Sequence, residues 1–95
     1  MKNIITKKQV NEEKEIIKQV DKKLVAERIA IEIKAQSDAK LNFHQSLSSY
    51  LISAKSSLNY SDEENDEILK LSKMILKEEY NIDIISEFPF ECVKN

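Results

Sequence analysis

The chain has 95 residues, 41% of them apolar and 34% charged, with a formal net charge of −2; this predicts one domain with a modest core under a heavily charged surface, and exerts no global pull towards nucleic acid or anionic membrane. It contains no glycine, the residue that phosphate-cradling loops and two-residue hairpin turns rely on for positive φ, which argues against both of those features and against an all-β fold. A single cysteine, Cys92, and a single histidine, His44, leave no zinc cluster and no intrachain disulfide, and no apolar run reaches bilayer length, so the expectation is a cytoplasmic protein without a membrane span.

The first element is a long helix. Thr6 and Gln9 match the S/T-x-x-E/Q capping box, which starts helix 1 near Lys7 and carries it to about residue 36. Val10, Ile17, Leu24 and Ile31 recur every seven residues, with Ile16 and Val20 beside them, so their side chains share one side of the helix. Beyond Leu24, Ile29 and Ile33 project from the other side, which predicts that the second half of the helix touches structure on two faces. Alternation of Ile29, Ile31 and Ile33 with polar or small residues also fits a strand, but the Ala, Glu, Lys, Arg and Leu around them favour helix.

Ser37 or Asp38 is the expected N-cap of helix 2, over residues 39 to 58, with a stripe of Phe43, Leu47, Tyr50, Leu51, Ala54 and Leu58 and a left-handed cap at Asn59. Nothing between Gln36 and Lys40 forbids one continuous helix instead. Ser61 and Glu64 form a second capping box for helix 3, over residues 62 to 80, with Asp62, Glu63, Asp66 and Glu67 near the positive end of its dipole and Asn81 as its left-handed cap. Short links make helices 2 and 3 an antiparallel hairpin. Ile82, Ile84, Ile85, Phe88, Phe90, Cys92 and Val93 are too apolar to stay in water; Pro89 breaks any helix there, so the tail from 81 to 95 reads as an extended or irregular apolar segment packed on the hairpin, with a short strand over Ile82 to Ile85 as the alternative. The fold class is therefore all-α, a small bundle of about three helices with a non-helical tail.

No residue set carries chemistry. His44 and Cys92 would form a nucleophile pair only if the fold joined them, and the acidic run 62–67 lacks the ligand spacing and the glycine of a calcium loop; no catalytic residue, metal site, cofactor or small-molecule substrate is expected. Lys7, Lys14, Lys18 and Lys22 line one side of helix 1, where successive like charges repel, so an acidic partner or nucleic-acid phosphate would relieve them. Glutamates interleave with these lysines and no aromatic residue accompanies them, which makes phosphate the weaker option. Residues 1 to 36 carry nine basic and six acidic residues and residues 37 to 95 carry six and eleven, an asymmetry that lets two copies, or two parts of one copy, attract each other.

Helix 1, roughly 45 Å long at 1.5 Å per residue, outreaches helices of about 30 Å, so its N-terminal half should protrude, exposing a narrow seam of Val10, Ile17, Val20 and Leu24 that a second helix can cover. The expected function is a non-catalytic protein–protein interaction module: a homodimer of coiled-coil type, or a regulator, inhibitor or adaptor of a larger protein. A small DNA-associated regulator of a mobile element is the alternative. Fourteen lysines against one arginine, with many Ile and Asn, match the residue bias of an AT-rich genome, as in a low-GC bacterium or its phages and plasmids. In length, helical character and expected localisation the chain also resembles bacteriocin-immunity proteins, although those tend to be basic.

Overall fold

The computed structural model describes residues 7 to 54 and 58 to 95, with side chains from Glu12 onward. Three helices, α1 (Lys7–Ala39), α2 (Leu47–Ala54) and α3 (Asp62–Tyr80), precede two strands, β1 (Ile82–Glu87) and β2 (Phe90–Lys94). The fold is predominantly helical rather than all-α. The molecule measures 60 × 23 × 17 Å, and its long dimension follows from α1, whose 33 residues rise about 50 Å at 1.5 Å per residue.

α1 packs mainly on α3 and to a lesser extent on α2. Its inward face is Val25, Ala26, Ile29, Ala30 and Ile33, all buried, and spaced three and four apart as one helical face requires. Two of the five are alanines, whose small side chains let the facing helix approach closely. The core is completed by Leu47, Tyr50 and Ala54 of α2, Ile68 and Leu76 of α3, Ile82 of β1 and Phe90 of β2. Ser72 is buried among them, its hydroxyl donating to the Ile68 carbonyl at 2.8 Å.

α1 does not run on into the next helix. Lys40 takes the left-handed conformation, φ 55°, its N–H donates to the Ser37 carbonyl at 3.2 Å, and the Leu41 N–H donates to the Gln36 carbonyl at 2.9 Å. These two bonds form a Schellman motif, which satisfies carbonyls that the helix end would orphan. The helix expected over 39 to 58 is thereby corrected at its start: Ser37 and Asp38 lie in the last turn of α1, residues 40 to 46 are a loop, and α2 begins at Leu47. Within the expected stripe Leu47, Tyr50 and Ala54 are buried and Phe43, Leu51 and Leu58 half-buried, because the loop folds Phe43 onto the core, edge-on to Phe90 at 5.3 Å. Among the described residues only Lys40 and Asn81 have positive φ, so Asn59 is not a left-handed cap.

The start of α3 is a complete capping box: Ser61 Oγ accepts from the Glu64 N–H at 3.2 Å, and Glu64 Oε1 accepts from the Ser61 N–H at 3.1 Å. Asn81, φ 59°, closes the helix in the left-handed conformation. The irregular tail is also corrected. β1 and β2 pair antiparallel, from Ile82 opposite Lys94 to Glu87 opposite Phe90, with a bulge at Ile85. Phe88 and Pro89 make the turn, joined by a cis peptide bond, the geometry of a type VI turn that uses proline in place of glycine. The Phe90 N–H donates to the Gln45 carbonyl at 2.9 Å, tying the hairpin to the loop before α2.

Candidate docking face on the first helix

Ile16, Ile17, Val20, Leu24 and Ile31 of α1 are between 45% and 63% exposed. At 3.6 residues per turn, Ile17, Val20, Leu24 and Ile31 fall within about a quarter turn of one another and on the opposite side of the helix from Val25, Ala26, Ile29, Ala30 and Ile33. α1 thus has two apolar faces, one buried against its own bundle and one bare. The heptad seam read from the sequence is the bare one along its described length, including Leu24 and Ile31, which lie level with the buried residues. Val10 and Lys7 fall outside the residues whose side chains are described.

The lysine line has a different fate. Lys22 is buried despite its charge, its Nζ 2.9 Å from Glu67 Oε2 and 3.6 Å from Glu64 Oε2, while Lys18 Nζ lies 3.7 Å from the same Glu64 oxygen. The hydrogen bond to Glu67 raises the Lys22 pKa against the lowering effect of burial. Glu64 is held below the ordinary carboxylate range, first by the Ser61 N–H and then by Lys18 and Lys22. Glu64 and Glu67, in the first two turns of α3, are therefore the partners that relieve the repulsion along α1, which leaves Lys22 with little surface for any other ligand. Lys14 continues the line at an exposed position.

The His44 ring stands edge-on to Tyr50 at 4.5 Å, and its Nε2 faces Glu32 Oε1 at 3.6 Å. Cys92 is half-buried, and burial pushes its thiol pKa up, the opposite of what an activated thiolate needs. Tyr50 serves the core: its hydroxyl donates to Gln36 Oε1 and accepts from the His44 N–H at 3.3 Å, its ring tilts against Phe90 at 5.3 Å, and burial raises its pKa. The carboxylate of Asp38, which accepts from Lys34 at 2.7 Å and Lys94 at 3.0 Å, is held low by those two cations.

Among the described residues no group of three His, Cys, Asp or Glu side chains could hold a metal ion, and no helix is long and apolar enough to cross a membrane. Periodicity along α1 does not reveal Glu64 and Glu67 as partners of the lysine line; the charge asymmetry of the chain points to an attraction but names neither residue and fits two copies as well as one. Comparison with protein-family models, with curated proteins and with solved structures finds no match.

Proposed function

We propose that this protein is a non-catalytic interaction module that works as a homodimer through the bare face of α1, in the role of a dimeric regulator or adaptor. The observation that carries the reading is the position of that face: among the described residues it lies opposite the bundle, so two copies can meet along α1 with both bundles held outside.

The area supports a second copy as the occupant. Each of the five exposed residues leaves on the order of 100 Å² in water, so the patch is roughly 500 Å², near the upper end of the 300–600 Å² that monomers leave bare. Pairing two such patches removes about 1,000 Å², the lower limit for a specific association. A weak, concentration-dependent dimer is the consequence, with a Kd on the order of 100 micromolar.

Light-scattering mass tests this. The wild-type protein should pass from its monomer mass of 11.0 kDa towards twice that value between about 10 μM and several hundred micromolar, and Ile17→Lys should stay monomeric throughout. Because Ile17 is exposed, the substitution should change folding stability by less than about 0.5 kcal/mol. Lysine at the similarly exposed Met74, on α3, is the control and should dimerise normally. A wild-type mass of 11.0 kDa at every concentration overturns the proposal.

A further inference from the structure

We infer that the two copies pair antiparallel, with Val20 of each α1 beside Leu24 of the other and the Glu13 end of one against the Arg28 and Lys34 end of the other. The inference rests on the self-pairing just proposed and adds its direction.

Charge along the bare face sets the direction. In the seven-residue repeat, Val10, Ile17, Leu24 and Ile31 occupy one core position, and Glu13, Val20, Glu27 and Lys34 the other. A parallel pair in register brings Glu13 against Glu13, Glu27 against Glu27 and Lys34 against Lys34, three like-charge meetings at the centre of the contact, where they are most costly. Staggering a parallel pair separates these charges but breaks the two-fold symmetry that closes a dimer.

Reversing one helix removes the conflict. With the two-fold axis between Val20 and Leu24, these two residues form the central layers and Glu27 comes beside Ile17. Glu13 comes beside Ile31, within one helical turn of Arg28 and Lys34. Lys34 keeps its bond to Asp38 at 2.7 Å, so Arg28 is the nearer counter-charge for Glu13. Glu13, Arg28 and Ile31 are all exposed, so each can take part without disturbing the bundle. The two bundles end up on opposite flanks of the paired helices and at opposite ends, which keeps their acidic α3 surfaces apart.

Disulfide trapping separates the directions. In full-length chains carrying Cys92→Ser, Glu13→Cys and Ile31→Cys are made as separate proteins, one with a mass tag, and each is oxidised alone and as a mixture. Antiparallel pairing predicts a disulfide dimer from the mixture at least tenfold in excess over that from either protein alone, because bridged Cα atoms must lie within about 7 Å. A Glu13→Cys homodimer as the main product overturns the antiparallel direction while leaving self-pairing intact. Dimers in light scattering with no disulfide from any combination overturn the stated alignment. A monomer in light scattering at all concentrations overturns this inference together with the reading on which it rests.

Discussion

Replacing Lys22 with methionine tests what holds α1 against α3. Methionine keeps most of the apolar stem and removes the charge, so the change isolates the contact of Nζ with Glu67 at 2.9 Å and Glu64 at 3.6 Å. A hydrogen bond to a charged group contributes about 1.5–3 kcal/mol. The Glu67 side chain is 60% exposed, so water screens much of that interaction, and the α3 dipole continues to favour both carboxylates once the lysine is gone. The expected loss is about 1–2 kcal/mol, or roughly 4–16 °C in Tm for a chain of this size. Lys18→Met should cost less than about 0.5 kcal/mol, because Lys18 meets Glu64 at the longer distance of 3.7 Å with its side chain 38% exposed. Thermal unfolding at neutral pH reads both variants. The Lys22 pKa is raised on folding, so its contribution should be intact below the unfolded value of about 10.4 and fade as pH climbs past the higher folded value. Equal Tm values for Lys22→Met and wild type, or equal losses at positions 22 and 18, would refute the claim that the contact of Lys22 with Glu67 and Glu64 anchors the long helix.

Two further substitutions probe the core and the first helix end. Tyr50→Phe keeps the ring but strips partners from Gln36 and the His44 N–H; a loss of about 1–2 kcal/mol in urea unfolding is expected, and a value near zero would mean that water replaces the hydroxyl. Lys40→Gly should stabilise by about 0.5–1 kcal/mol, because the left-handed conformation at φ 55° strains a residue with a Cβ and not glycine; destabilisation in the same assay would show that the lysine side chain contributes more than the backbone strain removes.

Much of this architecture was legible in the sequence because the responsible residues act locally. Ser61 with Glu64, and Asn81, mark the ends of α3 by bonds that span only a few residues, and the seven-residue recurrence of Ile17, Leu24 and Ile31 identifies one face of α1 whatever surrounds it. What was hidden depends on contacts distant in sequence or on residues outside their usual roles. Size-weighted periodicity favours the isoleucines and leucines of the bare seam, whereas the buried face uses Ala26 and Ala30, which are inconspicuous because closeness of approach is their contribution. A glycine-free chain argues against a tight hairpin and leaves the helix break between Gln36 and Lys40 without its usual marker, yet Phe88-Pro89 supplies the turn and a lysine supplies the left-handed cap. The partner of the lysine line was hidden for a different reason. Lys22 and Glu67 are 45 positions apart, and only net charge over long stretches hinted at their meeting.

A helix with greasy surfaces on opposed flanks separates two properties that small proteins usually tune together. Altering Ile29 or Ile33 changes whether the polypeptide folds; under the proposed pairing, altering Leu24 or Ile31 changes what a folded molecule adheres to. Selection can therefore sharpen, redirect or abolish attachment along the outer flank while the inner one goes on specifying the same scaffold.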